Sequence, residues 1–561
     1  MEQWQKERLE RSRKKFLIIN GENISASNYP EKRDCYSELY RYVTENEREY
    51  SGRICALYGL RRTGKTVMMH QCIESLDTEK REKSVYINCN TDCEMLDLRW
   101  VMDDLYEQGK RYFFIDEITM IEDLQLYGNT LSDYYRIIGA KVIVAGTDSF
   151  GLYLARTDVL YDRMICIHTS QVSYAEYARL CEESLDRYIE YGGTLTNTTY
   201  KNNQSAEQYL NTAIVNNILH GLESREEKRR HATVLTELYE RDELVSVIQK
   251  MINTFSYDIA MKAVKRSYKS AVLYATINNT RKNVKEYFDD EMINQAVKSA
   301  LGIKNLDEMK TALTKENLET VKNYLKLLDL FLVIPSFKSY KKSGTTDLEI
   351  FQQPGMLYAH ATELLEQLRN DEVWNAESEV EERESFLNRA DHFVKGILLE
   401  NIILSETYQC YQELDKKRFY VSQLSIGLNE GMKESEADLI ILDKEDEKTY
   451  LFEIKYSDQV VENQTRHLRN EEFLRYVDEN FAPVEKCCVI YNGQPTRVDS
   501  IDYLNAEKFL QCIHEMHLAK SENLEKLFQQ EEIEKNIKTA LEVKEKSATK
   551  PKEKKVKRLH I

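Results

Sequence analysis

The sequence lacks several features that mark specialised classes of protein. Its eleven cysteines include no Cys-x-x-Cys pair and no paired framework, so reduced thiols are expected, and neither a zinc site nor a disulfide scaffold is predicted. No apolar run approaches the roughly 20 residues that cross a bilayer, and the first residues lack the apolar core of a signal peptide. These absences predict a cytoplasmic protein without membrane contact.

An excess of positive charge is also missing. The chain carries 78 basic and 95 acidic residues, which gives a formal net charge of −17. A surface of that charge repels nucleic acid as a whole. Any contact with DNA or RNA therefore requires a local basic patch.

A phosphate-binding loop is the most specific motif that the chain contains. Residues 59–66 read G-L-R-R-T-G-K-T and match the pattern G-x-x-x-x-G-K-[ST]. An apolar run precedes the motif and an amphipathic helical pattern follows it, which disfavours an ordinary glycine turn. Backbone N–H groups of such a loop surround the phosphates of a nucleotide. The predicted nucleotide-binding residues of the loop are Gly59, Arg61, Arg62, Thr63, Gly64, Lys65 and Thr66.

Apolar runs alternate with helical patterns from the loop onward, which predicts a parallel sheet with helices on both faces. The predicted strands are Ile54–Tyr58, Ser84–Asn88, Tyr112–Ile115, Lys141–Ala145 and Met164–Ile167. The third strand ends in Asp116 and Glu117. Lys65 is expected to contact the β- and γ-phosphates, and Thr66 and Asp116 to hold Mg²⁺. Glu117 is expected to polarise the attacking water as general base, which makes Lys65 and Glu117 the candidate catalytic residues for ATP hydrolysis.

Polar residues also follow the fourth predicted strand. Thr147 and Ser149, two positions apart, are candidates to hydrogen-bond the γ-phosphate or the attacking water, with a helix N-cap as the alternative. Arg163 is a weaker candidate for a phosphate of its own or a neighbouring subunit, since most arginines make structural ion pairs. A contact of the second kind would involve a homo-oligomer.

A second candidate site lies near the C-terminal end of the chain. Asp438 begins one apolar run, a short charged turn follows, and Glu453 and Lys455 end the next run. In an antiparallel hairpin these side chains come together, and Glu453 and Lys455 share a face. The two carboxylates are predicted to bind Mg²⁺ or Mn²⁺ and to activate water, while Lys455 stabilises developing charge. A surface hairpin with cross-strand ion pairs is the alternative.

Four motifs together resemble a prokaryotic family of AAA+-type P-loop ATPases: G-L-R-R-T-G-K-T, F-F-I-D-E, V-I-V-A-G-T-D-S and S-Y-A-E-Y-A-R-L at Ser173–Leu180. In that family the ATPase domain precedes helical and winged-helix segments and a C-terminal PD-(D/E)XK nuclease-like domain. The resemblance implies bound ATP and Mg²⁺, a nuclease constellation at the second site, and an additional acidic position at Glu400. Ile118 stands where the family often has Gln, and Ala437 replaces the proline of the nominal nuclease motif.

The predicted fold class is α/β, with a P-loop NTPase parallel sheet, helical and winged-helix segments, and an α+β restriction-endonuclease-like domain. The 561 residues exceed what one core supports. We expect an N-terminal helical segment (1–50), the AAA+-type domain (51–175), a helical lid or linker (176–250), a winged-helix-like domain (251–360), the nuclease-like domain (386–515), and a helical and basic tail (516–561).

Two functions agree with this organisation. In one, the ATP cycle gates a metal-dependent nuclease, and DNA contacts the winged-helix and nuclease-like domains. Lys338, Lys341 and Lys342 in the predicted wing suit that role, with a purely structural wing as an equal alternative. In the other, the protein is a nucleotide-dependent switch that binds DNA or protein and whose nuclease-like domain is inactive or serves only oligomerisation.

Overall fold

The structure of the chain is a computed structural model. The residues that it describes are 2–45, 53–121, 131, 138–146, 164–195, 259, 262–263, 322–323, 325–326, 330–337, 345–370, 380–415, 417–426 and 435–529. They divide into two compact units, Met1–Val333 with Glu349–Leu398, and Ile334–Leu348 with Leu399–Ile561.

A six-stranded sheet organises the described part of the first unit. Its strands are β1 (Leu17–Asn20), β2 (Ile54–Tyr58), β3 (Ser84–Asn88), β4 (Tyr112–Asp116), β5 (Lys141–Ala145) and β6 (Met164–His168). Their spatial order is β1-β3-β4-β5-β2-β6, and every neighbouring pair is parallel except β1 with β3. The five strands predicted from apolar runs are therefore present, and their parallel arrangement agrees with a P-loop NTPase fold.

The first unit also contains the helices α1 (Gln3–Lys14), α2 (Tyr36–Thr44), α3 (Lys65–Ser75), α4 (Thr78–Glu82), α5 (Met95–Glu107), α6 (Tyr174–Cys181), α7 (Leu185–Tyr191) and α8 (Pro354–Arg369). Of these, α5 packs on one face of the sheet, and α2 and α3 pack on the other. Along β2, Ile54 and Ala56 belong to the hydrophobic cluster that includes α5, whereas Cys55 and Leu57 belong to the cluster that includes α2 and α3. This alternation follows from the two-residue period of a strand. The sheet is therefore buried on both faces, as parallel sheets are.

The N-terminal segment contributes a strand to this unit as well as the predicted helix. Strand β1 extends the sheet, and α1 packs beside α5 through a buried acceptor, Asp97. The Asp97 carboxylate accepts hydrogen bonds from Ser12 at 2.7 Å, Arg8 at 3.0 Å and Lys15 at 2.5 Å. Pairing with α5 therefore uses Arg8 and Lys15, two basic side chains of this segment.

The second unit contains a mixed sheet in the described residues, with strands β9 (Phe419–Ile426), β10 (Ser435–Asp443), β11 (Lys448–Lys455), β12 (Val484–Tyr491), β13 (Thr496–Val498) and β14 (Ile501–Asn505). The spatial order is β13-β14-β12-β11-β10-β9. Strands β9, β10 and β11 form an antiparallel meander, and β12 joins β11 in parallel after a helical connection. The helices are α9 (Val380–Asp415, which begins in the first unit), α10 (Glu471–Asn480) and α11 (Ala506–Ala519).

A two-stranded ribbon, β7 (Phe331–Phe337) and β8 (Thr345–Phe351), lies within the predicted winged-helix-like domain, and its strands flank the predicted wing. Its connecting lysines, most of the predicted winged-helix and lid segments, and the basic tail lie outside the described residues, as do Thr147, Ser149 and Arg163. No helix among the described residues combines the length and the apolarity needed to span a bilayer. The eleven cysteines, all within the described ranges, are free thiols.

Candidate functional site

The loop between β2 and α3 has a backbone that requires glycine at two positions. Gly59 has φ +143° and Gly64, at the N-cap of α3, has φ +90°. A Cβ atom at Gly59 would overlap the carbonyl and hydroxyl oxygens of Thr169, which follows β6. The sequence pattern therefore reflects both a left-handed turn and a close approach of two backbones.

Lys65 lies inside the loop with its side chain almost completely buried. Its Nζ donates hydrogen bonds to the carbonyl oxygens of Gly59 at 2.8 Å and Leu60 at 2.7 Å. Burial lowers the pKa of Lys65 to about 8, although the charges of Glu117 and Asp116 oppose this shift. An arriving anion would restore the charge interactions that a buried ammonium lacks, so this geometry suits a phosphate.

Oxygen atoms from three elements meet at the carboxyl ends of the strands. Thr66 Oγ1, at the start of α3, donates to Asp116 Oδ2 at 2.6 Å, and the Tyr86 hydroxyl of β3 donates to the same oxygen at 2.9 Å. Asp116 Oδ1 accepts from the backbone N–H of Glu117 at 3.0 Å. Hydroxyl and carboxylate oxygens are the ligands that Mg²⁺ prefers, so Thr66 and Asp116 fit the predicted metal role.

Glu117 occupies a left-handed backbone conformation directly after β4, with φ +52° and ψ +36°. Non-glycine residues adopt this region at a cost of about 1 kcal/mol or more, and such strain concentrates at functional sites. Because this turn ends the strand at Asp116, Glu117 does not continue the two-residue alternation of β4.

Three residues at this site were not predicted from the sequence: Tyr86, Arg33 and Glu176. Tyr86 contacts Asp116, and Arg33 forms a buried ion pair with Glu176 beside Thr63. Glu176 lies within the S-Y-A-E-Y motif, which was used only as a mark of resemblance. All three contacts join segments distant in sequence, so no local spacing predicts them.

Comparison with known proteins agrees with this geometry. Residues 51–178 match the family model described as the AAA domain. This part of the chain resembles AAA domains. The match, the loop and the parallel-rich sheet together support an AAA-type P-loop ATPase domain, for which bound ATP and Mg²⁺ are typical.

Other comparisons add little to the AAA-type assignment. No curated protein matches the chain. A solved structure described as the structural basis for katanin self-assembly is 16% identical, with a TM-score of 0.23, and the alignment covers 31% of this chain and 63% of that chain. Similarity at this level supports no conclusion about the AAA-type domain or its assembly.

Outside the AAA-type domain, the structure brings the three residues of the second candidate site together. In the β10–β11 hairpin Leu439 pairs with Phe452, so Asp438 lies opposite the end of β11. Asp438 Oδ2 accepts hydrogen bonds from the Ile454 N–H at 2.7 Å and from Lys455 Nζ at 3.0 Å. Lys455 Nζ also contacts Glu453 Oε2 at 2.6 Å. The lysine ammonium therefore bridges both carboxylates.

Burial dominates the electrostatics of this carboxylate pair. Glu453 is 2% exposed, and its Oε1 has no hydrogen-bond partner in the described part of the chain. Burial, and then the neighbouring charge of Asp438, raise the pKa of Glu453 above its usual range. Although burial acts in the opposite direction, Asp438 and Glu453 raise the pKa of Lys455, and Glu400 of α9 adds to this effect.

The pair fits a divalent cation only in part. An orphaned carboxylate oxygen beside a second carboxylate is a suitable ligand for Mg²⁺ or Mn²⁺. However, no group of three or more His, Cys, Asp or Glu side chains within the described ranges is arranged to hold a metal ion. Asp438 and Glu453 would therefore have to complete their coordination with water, substrate or a displaced side chain.

Proposed function

We propose that the protein binds and hydrolyses ATP at the loop formed by residues 59–66, and that the nucleotide cycle gates a metal-dependent nuclease-like site in the second unit. The observation that carries the first part is the junction of Lys65, Thr66 and Asp116, where a buried ammonium adjoins a pair of oxygen ligands. The family-model match to the AAA domain over residues 51–178 supports the same activity.

Five residues have defined tasks in this proposal: Lys65, Thr66, Asp116, Glu117 and Thr147. Lys65 Nζ exchanges its two backbone acceptors for phosphate oxygens, and Thr66 and Asp116 hold Mg²⁺, which neutralises phosphate charge when bound. Glu117 accepts a proton from the water whose oxygen attacks the γ-phosphorus, while the bond to the ADP oxygen breaks. Thr147 is proposed to hydrogen-bond the same water or the γ-phosphate.

In the second unit, Asp438 and Glu453 are proposed to hold Mg²⁺ or Mn²⁺, which supplies an activated water when bound. Lys455 lies within hydrogen-bond distance of both carboxylates, so its ammonium is placed to neutralise charge on a phosphodiester oxygen. The orphaned Glu453 Oε1 is the feature that supports a cation at this position. The substrate proposed is DNA, with RNA as the alternative nucleic acid.

A second function is favoured by the same ion-pair network. Since Lys455 already forms ion pairs with both carboxylates, and the described residues offer no three-ligand group, the site has the properties of a structural ion cluster. In that case the protein is a nucleotide-dependent switch that binds DNA or protein, and its nuclease-like site is inactive.

Cleavage of DNA and RNA by the full chain, with Mg²⁺ or Mn²⁺ and with or without ATP, separates these functions. The nuclease proposal predicts cleavage that Lys455→Ala abolishes and that Lys448→Ala, a half-buried lysine of the same strand, preserves. Gating by ATP predicts that Lys65→Ala changes the cleavage rate. Absence of cleavage in every condition, with ATP hydrolysis intact, favours the switch.

A further inference from the structure

A buried ion pair connects the phosphate-binding loop to two segments that are far apart in the sequence. Arg33 precedes α2, and Glu176 lies in the first turn of α6. Arg33 Nε contacts Glu176 Oε1 at 2.6 Å and Nη2 contacts Oε2 at 3.0 Å, with side-chain exposures of 4% and 5%. Two parallel N–H···O bonds of this kind fix the orientation of both side chains.

The same guanidinium reaches the loop itself. Arg33 Nη1 donates to the carbonyl oxygen of Thr63, the residue before Gly64, and Nη2 donates to the carbonyl oxygen of Ser170 at 3.1 Å. Glu176 Oε1 also accepts from the Asp34 N–H at 2.8 Å. Every nitrogen of the Arg33 guanidinium therefore has an acceptor, and one of these acceptors belongs to the loop.

The contact with Thr63 determines where the next amide points. A peptide group is planar and trans, so the C=O of one residue and the N–H of the next point in opposite directions. Because Arg33 holds the Thr63 carbonyl on its own side, the Gly64 N–H is directed away from Arg33. In a phosphate-binding loop, consecutive N–H groups of this kind form the anion site.

The neighbouring peptide is held in the same way by a different element. The Leu195 N–H donates to the Arg62 carbonyl oxygen at 2.7 Å, and Arg62 has a left-handed φ of +64°. Two successive carbonyls of the loop are thus bound from outside it. Thr63 Oγ1 adds contacts to Thr169 Oγ1 and the Leu60 carbonyl, each at 2.8 Å.

We propose that Arg33 and Glu176 are positioning residues for the nucleotide: Arg33 fixes the Thr63–Gly64 peptide so that its N–H faces the phosphates, and Glu176 holds Arg33 in place. This inference rests on the proposed nucleotide binding at the loop. It assigns a physical role to Glu176 of the S-Y-A-E-Y motif, which lies beyond the sheet. It also makes α6 a segment that contacts the nucleotide site indirectly, through Arg33.

Two variants and one matched control test this role in the full chain. Arg33→Lys keeps the charge but cannot contact Glu176 and Thr63 through a planar fork. Glu176→Gln keeps the shape and removes the charge. The control is Arg179→Lys, because Arg179 also lies on α6 and donates to Asp34 and to the Lys32 carbonyl, both at 2.7 Å, without contacting the loop. Thermal unfolding shows which variants are folded.

Two readouts are measured on the folded variants. One is amide hydrogen exchange in a peptide covering residues 57–70 without nucleotide, and the other is affinity for ATP with Mg²⁺. Losing a charge-assisted hydrogen bond is expected to speed exchange in the loop about tenfold and to weaken ATP binding about tenfold. Arg179→Lys is expected to change neither. If the ion pair is merely structural, its loss would lower the unfolding temperature. Amide hydrogen exchange would then rise no more in the loop than in the rest of the sheet.

Each outcome bears on one of the two proposals. Faster loop exchange with weaker ATP binding in Arg33→Lys or Glu176→Gln, and neither in Arg179→Lys, supports the positioning role. Unchanged loop exchange and unchanged affinity in a folded variant overturn it while leaving nucleotide binding intact. A wild-type chain that does not bind ATP overturns the proposed function, and the positioning of a nucleotide with it, whatever the exchange rates show.

Discussion

Thr66 and Asp116 are 50 positions apart in the chain, yet Thr66 Oγ1 donates a 2.6 Å hydrogen bond to Asp116 Oδ2. The contact exists because α3 starts, and β4 ends, at the same edge of the sheet. A hydroxyl and a carboxylate joined in this way offer a hard divalent cation two oxygen ligands with little rearrangement. The metal role predicted for both residues therefore leads to a direct test.

Thr66→Ala removes one of these ligands without removing buried charge. We expect the Mg²⁺ concentration needed for half-maximal ATP hydrolysis to rise about 10- to 100-fold, a typical range for perturbing a metal's surroundings. Titration of the rate with Mg²⁺ measures the effect. Thr78→Ala, at the exposed start of α4, serves as the matched control. An unchanged Mg²⁺ requirement in Thr66→Ala would contradict the metal role.

Gly59→Ala tests the close approach of two backbones at the loop. The substitution combines a left-handed φ with overlap against the Thr169 carbonyl, so we expect a loss of stability well above 1 kcal/mol and a loss of ATP binding. Gly109→Ala is the control, because Gly109 has φ +96° and no neighbour within 4 Å of an added Cβ. Its expected cost is about 1 kcal/mol from backbone strain alone. Urea unfolding that gives equal losses for both variants would refute the steric argument.

The lowered pKa of Lys65 predicts two pH dependences of opposite sign. Burial lowers its pKa to about 8 from an ordinary 10.5, so the unfolded chain binds the proton more tightly and stability without nucleotide rises between those values. Phosphate binding needs the ammonium, so ATP affinity is expected to fall as pH rises above about 8. Lys65→Arg is expected to abolish the inflection, because arginine stays charged. Affinity that is flat from pH 7 to 10 in the wild type would contradict this account.

The raised pKa of Glu453 predicts that cation binding in the second unit strengthens with pH. Burial favours the protonated form, and a cation competes with that proton. The proton on Glu453 stabilises the folded chain at low pH, and this stabilisation is lost as pH rises through the raised pKa of Glu453. Mn²⁺ binding is best measured in Asp116→Asn, so that the first site does not contribute. Glu453→Gln should abolish the pH dependence of the Mn²⁺ affinity, whereas Glu485→Gln, on the neighbouring strand, should retain it. A Mn²⁺ affinity that does not change with pH in any variant would argue for the inactive switch.

Most strands of the first sheet could be predicted because buried parallel strands have short, continuous apolar sequences. Ile54–Tyr58 and Ser84–Asn88 were predicted with the bounds that the structure has. The meeting of Asp438 with Lys455 also followed from the two-residue period of a hairpin. In both cases a local pattern determines which side chains share a face.

Other parts of the site carry no such local signal. The Arg33–Glu176 pair spans 143 positions, and an isolated arginine in a polar stretch gives no indication that it will be buried. Strand β1 was missed because Leu17–Asn20 is only four residues long and pairs with β3 at the sheet edge. Contacts of this kind depend on the assembled fold, so they become visible only once the strands are placed.

ATP hydrolysis by the purified full chain, compared with Glu117→Gln, tests the central claim most directly. We predict that the wild type releases phosphate in the presence of Mg²⁺, and that Glu117→Gln binds ATP with similar affinity but hydrolyses it at least about 100-fold more slowly, the usual contribution of a general base. Glu107→Gln, at the exposed end of α5, should match the wild type. Equal hydrolysis rates in Glu117→Gln and wild type, or a wild type that neither binds nor hydrolyses ATP, would contradict the account.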